Sequence, residues 1–209
     1  MKKSHAVILL ITSILILDQV LKVYIKLNIP YGSGFELLGL SWAKIHFVEN
    51  EGMAFGFSLG GYYGKLFLSV FRIFMIGFLI YLLRELIRAK QSMGLILSFG
   101  LIVAGAIGNM IDSAFYGIIF SKSSFHHRDL AIFMPEDGGY SSFLHGNVVD
   151  MLYFPMVNTT WPEWMPYFGG KSFQFFKPVF NIADSAITCG VASILLFHRS
   201  FFKNEETVS

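Results

Sequence analysis

Four apolar stretches dominate the chain, and each approaches the roughly 20 residues that an α-helix needs to cross a bilayer. They cover about residues 6–25, 66–83, 93–111 and 179–197. The first is interrupted only by Asp18, Gln19 and Lys22, and the second contains Arg72. The third is rich in small residues (Gly94, Gly100, Ala104, Gly105, Ala106, Gly108), and the fourth has Asn181 and Asp184 near its start. Lipid offers a backbone no hydrogen-bond partners, so such stretches fold as helices. Composition agrees: of 209 residues 54% are hydrophobic and 14% charged, too few charges to coat a globule in water, where about 25% is usual. The expected fold is a single mainly α membrane domain over residues 1–209 with four transmembrane helices.

A formal net charge of +2 without a long basic run gives no reason to expect nucleic acid. The single cysteine, Cys189, rules out an internal disulfide and multi-cysteine metal sites; inside an apolar stretch it reads as a small core residue. Lys2 and Lys3, then Arg84, Arg88 and Lys90, then Arg199 and Lys203 flank the apolar stretches. The bias of basic residues toward the cytoplasm puts these clusters and both termini inside. Residues of about 26–65 and 112–178 then face outward. The long apolar run after Lys3 lacks a small-residue cleavage site close behind it, so it reads as a retained anchor.

The outer segments have texture. Phe35 to Phe47 suits short strands, and residues 48–52 suit a turn. Ser121 to Gly146 is polar and carries His126, His127 and His145. Trp161 to Tyr167 is aromatic and proline-punctuated, a composition that favours the headgroup region.

The polar residues converge. A charged side chain at membrane depth costs roughly 2.5–3.5 kcal/mol on insertion scales, so each needs a reason. Asp18 and Lys22 share a face of the first helix, four residues apart. Asn109 and Asp112 end the third, Asn181 and Asp184 begin the fourth, and Asp150 lies in the outer segment before it. All of them fall at one membrane surface. Asp18 with Lys22 reads equally as a structural ion pair, and Asp112 as a helix-end group. Asp184, without a nearby cation in sequence, asks for a function. Asp150 by itself is an ordinary loop acid.

Two aspartates facing each other cannot both ionise easily, because like charges raise one pKa. One then keeps a proton while the other acts as a base, which suits hydrolysis by an activated water. No H-E-x-x-H, no G-x-S-x-G and no cysteine beside a histidine occurs, so zincin, serine and cysteine chemistry lack their motifs. His126, His127, Asp129 and His145 could in principle gather a metal, but their irregular setting reads as solvated loop, and no cofactor is expected. A proton- or ion-coupled transporter is the alternative reading, distinguished by aspartate-dependent flux without proteolysis. A non-catalytic scaffold would tolerate changes at Asp150 and Asp184.

Five short motifs sharpen the choice: Leu17-Asp18-Gln19 with Lys22, Asn50 to Gly56, Gly108 to Asp112, Gly146 to Asp150, and Phe180 to Ile187. Together, in this order, they resemble the lipoprotein signal peptidase (signal peptidase II) family. The resemblance implies a four-helix membrane aspartic protease with a small periplasmic β-cradle, at roughly residues 26–65, and an interfacial loop or helix. It implies a monomer in the bacterial inner membrane, in contact with lipid, that cleaves prolipoproteins just before a diacylglyceryl-modified cysteine. Asp150 and Asp184 match the family's catalytic pair; Asn50, Gly52, Asn109 and Asn181 match positions lining or supporting its site, and Asp18, Lys22 and Asp112 its polar partners. Two departures stand out. Ser113 occupies a place where the family commonly has arginine, for which Arg128 is a conceivable substitute, and residues of about 117–145 look like an insertion.

Overall fold

The computed structural model describes residues 3–50, 61–124, 130–175 and 177–199. Helix α1 runs Lys3–Asn28, α2 Gly61–Arg88, α3 Met93–Ile111 and α4 Ile182–Phe197. The α3 helix continues through a π-helical turn, Asp112–Tyr116, and a final short turn, Gly117–Ile119. By length and composition, α1, α2 and the continuous Met93–Ile119 helix can each cross a membrane; α4 is apolar but has 16 residues, about 24 Å at 1.5 Å per residue.

The first and second helices overrun their apolar stretches at both ends. The fourth starts three residues later than its apolar run, because Val179–Phe180 is a strand and Asn181 is the helix cap. The outward faces of α1 and α2 carry large exposed apolar side chains, such as Leu17, Val20, Phe71 and Phe74. Cys189 corrects the sequence reading: it is exposed on α4 rather than part of the core.

Small residues let α3 and α4 approach closely. A Cβ on Gly105 would lie 2.2 Å from the Ala183 carbonyl oxygen, and one on Gly190 2.6 Å from that of Ser98. At the far end of the bundle Lys3 Nζ donates to the Lys90 carbonyl at 3.0 Å, which brings the start of α1 to the turn between α2 and α3.

A four-stranded antiparallel sheet caps the other end, in the order β1 (Gly34–Leu37), β2 (Leu40–Asn50), β3 (Val148–Tyr153), β6 (Val179–Phe180). The small β-structure is therefore present, but only β1 and β2 come from residues 26–65; β3 comes from the second outer segment and β6 from the start of the fourth apolar stretch. Strand β3 has four successive buried residues, so it lacks the polar alternation that marks a half-exposed strand. Its Val149 and Met151 join Ile25, Ile45, Phe47, Tyr116 and Phe120 in a second core beneath the sheet. Strands β4 (Val157–Thr160) and β5 (Ser172–Phe175) pair with each other in a separate hairpin. Its tip holds the aromatic stretch, with Trp164 and Tyr167 80% and 90% exposed.

Candidate active site

Strand register and helix capping bring the two acids together. On β3, Asp150 pairs with Val48 of β2, while Leu152 pairs with Phe180 of β6. Asp150 is thus a buried strand residue rather than a loop acid. One residue after β6, Asn181 caps α4: its side chain accepts from the Asp184 backbone N–H at 2.8 Å, and Asp184 accepts in return from the Asn181 N–H at 3.3 Å. This reciprocal cap satisfies amides that a helix start leaves open, and the helix dipole favours a carboxylate there. The sheet positions one acid and a helix start the other.

Asn181 and Asn109 join them. Asn181 Nδ2 lies 2.7 Å from Asp150 Oδ1 and 3.1 Å from Asn109 Oδ1. Asn109 Nδ2 donates to Asp184 Oδ1 at 2.7 Å. The other Asp150 oxygen accepts from Asn50 at the end of β2. Burial and then the Asp184 charge push the Asp150 carboxyl from its usual 3.8 up to about 7, against the pull of Lys22, Asn181 and Asn50. A carboxyl poised there can hold or release a proton near neutral pH.

Beneath the pair sits a buried charge cluster. Lys22 Nζ bonds Asp18 Oδ2 and Asp112 Oδ2 at 2.8 Å each and donates to Asn109 Oδ1 at 3.0 Å. Asp18 reaches across to accept from the Ala183 N–H at 2.9 Å, in the first turn of α4. Asp112, at the start of the π-helical turn, accepts from the Val149 N–H at 3.2 Å. A π-helical turn inside an α-helix frequently marks a functional site; here it shifts the phase of the chain after Asp112. The ion pair suggested by Asp18 and Lys22 is present and wider than its sequence spacing revealed.

Gln19, given no role from sequence, donates to Asp112 Oδ1 at 2.9 Å and accepts from Tyr116 Oη at 3.2 Å. Its signal was a polar residue beside Asp18 at membrane depth. Gly52, Arg128 and the His126, His127 and Asp129 set lie outside the described residues. His145 stacks on Tyr62, with ring centroids 3.9 Å apart. Ser113 is instead met by Arg72, whose Nη1 donates to its Oγ at 3.3 Å.

A family model described as signal peptidase (SPase) II matches residues 10–202 of this chain. Similar proteins include the lipoprotein signal peptidase of Porphyromonas gingivalis, 46% identical over 195 residues, which covers 93% of this chain and 83% of that one. That of Amoebophilus asiaticus is 36% identical over 188 residues, covering 88% and 74%. Among solved structures, a bacterial membrane enzyme determined by the in meso method at 2.3 Å resolution superposes with a TM-score of 0.62, at 24% identity, over 98% of this chain and 92% of that one.

Proposed function

The chain belongs to the signal peptidase II family, and from that premise we propose that Asp150 and Asp184 share one proton and activate one water to cut the substrate. The protein is an aspartic-type signal peptidase that removes signal peptides from prolipoproteins. The observation that carries the dyad is the bridge Asp150–Asn181–Asn109–Asp184, with Asp150 held up to about 7.

In the proposed reaction Asp150 enters protonated and Asp184 ionised. The water oxygen adds to the scissile carbonyl carbon, one water proton passes to Asp184, and the Asp150 proton passes to the carbonyl oxygen. The resulting tetrahedral diol collapses as its C–N bond breaks. Asp184 delivers its proton to the departing amine nitrogen, and a diol hydroxyl returns a proton to Asp150. Both acids regain their starting states, and no acyl-enzyme forms. Asn109 and Asn50 hold the carboxylates in place, and Asn181 ties both to one helix start.

The departing amine would be that of a diacylglyceryl-modified cysteine. An apolar cleft of about 230 Å³ between α2 and α3, lined by Ile73, Ile76, Ile107, Met110, Ala114 and Phe115, supports lateral entry from lipid. We place α4 as the fourth membrane crossing, both termini in the cytoplasm and the dyad at the outer surface. The protein would act as a monomer, with residues 117–145 an insertion relative to the family and the aromatic tip of the β4–β5 hairpin at the headgroups. The basic residues near the Lys3–Lys90 contact support that orientation.

Cleavage of a diacylglyceryl-modified prolipoprotein by purified protein tests the dyad. Asp150→Asn and Asp184→Asn should each lower kcat by about 10²–10⁴-fold, the range of a lost general acid or base. Parent-rate cleavage in either variant, free of contaminating protease, would refute the assignment.

A further inference from the structure

Arg72 lies on the inward side of α2, and the site described so far gives it no task. Ser69, Arg72, Ile76, Leu79, Leu83 and Leu86 recur at spacings of three and four, and all are buried or half-buried. Phe71, Phe74 and Phe78, between them, are exposed. A helix in lipid turns its polar residues toward protein, and Ser69 does so by donating to the Leu144 carbonyl at 2.7 Å. Arg72 follows one turn later.

Its contacts lead to the dyad. Arg72 Nη1 donates to Ser113 Oγ at 3.3 Å, Ser113 Oγ donates to the Asn109 carbonyl at 3.1 Å, and Asn109 Nδ2 donates to Asp184 Oδ1 at 2.7 Å. The guanidinium also interacts electrostatically with Asp184 and with Asp112. Among the described residues, Asp150 on β3 interacts with both Asp184 and Lys22, and Lys22 pairs with Asp18 on α1 and with Asp112 after α3. Glu49 on β2 is paired with Lys26. Lys22 on α1 serves Asp18 and Asp112 at 2.8 Å each, whereas Arg72 reaches the site from α2.

We infer that Arg72 is a positioning residue for hydrolysis: through Ser113 it fixes the last turn of α3, from which Asn109 addresses Asp184. Arginine suits the task because its planar fork is pre-organised and loses little freedom for each hydrogen bond it forms.

The inference rests on the dyad reading, and the test separates them. In proteoliposomes with a lipid-modified prolipoprotein, Arg72→Gln should lower kcat about 10- to 100-fold with KM within about twofold. Arg72→Lys should recover only part of kcat, again with KM near the parent's. Parental kcat per folded molecule in Arg72→Gln would reduce Arg72 to a structural residue and overturn the inference. Should Arg72→Gln not fold, Ser113→Ala decides: a several-fold lower kcat at unchanged KM supports it, and parental kcat overturns it. Asp150→Asn and Asp184→Asn run alongside. If they stay active the dyad itself fails; if they are dead and the Arg72 and Ser113 variants are parental, this inference alone fails.

Discussion

Asp150 is 2% exposed, and its carboxyl rises from 3.8 to about 7 because burial penalises the charged form and Asp184 repels it. The folded protein therefore binds a proton there that the unfolded chain has released, across the window between those values. In that window the unfolded state holds fewer protons, so this group's contribution to stability falls as pH rises from about 4 to about 7, then levels off. The same titration removes the proposed acid. We expect kcat/KM to decline on the alkaline side with a midpoint near 7, and melting in detergent to show a shallower pH slope between 5 and 8 in Asp150→Asn than in the parent. An equal slope in both proteins would show that Asp150 is ionised throughout.

Other residues were readable to different depths. Asp18, Lys22, Asn109, Asp112, Asn181 and Asp184 announce themselves because a polar group inside an apolar run is costly, and all of them meet. Asp150 lacked that signal: its neighbours along β3 are buried by partners remote in sequence, which local pattern does not reveal. Arg72 had the signal, but its contact Ser113 lies 41 positions away, beyond the reach of local pattern.

At the scale of elements, helices follow from the apolar stretches because each satisfies its own backbone, whatever surrounds it. Strands need neighbours, so β1 and β2 were legible as extended segments while β3 and β6 were not. The start of α4 was misplaced for the same reason: Val179 and Phe180 are apolar, but they pair with β3. Asn181 marks the true boundary.

Helix contacts also explain which glycines matter. A Cβ at Gly100 would meet Leu10 and Val7 side chains at 3.6 Å, ordinary van der Waals contact, whereas at Gly105 it would collide with the Ala183 backbone at 2.2 Å. Gly100→Ala should be neutral or add up to about 1 kcal/mol through helix propensity. Gly105→Ala should cost roughly 1–3 kcal/mol through overpacking, and should reduce activity because Ala183 adjoins Asp184. Thermal unfolding of the two variants in one detergent checks the contrast; equal melting would show that α3 and α4 are not packed this tightly.

For the whole molecule, composition was enough to name the solvent, and five motifs enough to suggest the family. The assembly was less visible. One sheet draws strands from both outer segments, and its β3–β6 pairing closes the distance between acids 34 positions apart (184 − 150). Polar links fasten the segment after α3 to its surroundings: Lys26 donates to Ser123 Oγ at 3.0 Å, Ser123 donates to Glu49 at 2.7 Å, and the Gly146 N–H donates to the Ser113 carbonyl at 2.8 Å. None of these links follows from local pattern, since each pairs residues far apart along the chain.

The chain between the acids leaves the sheet at Tyr153 and re-enters opposite it at Val179. Everything beyond that pair, including the aromatic hairpin, hangs from two adjacent strand ends. We expect replacement of residues 155–177 by a two-residue Asn-Gly turn to leave hydrolysis within about tenfold of the parent, while quenching of tryptophan fluorescence by brominated lipid drops. A dead but folded product would mean that the hairpin helps to hold the acids. The pairing makes this spot a natural splice point: a foreign finger could be grafted there to redirect the enzyme toward a chosen membrane, leaving the cutting machinery untouched.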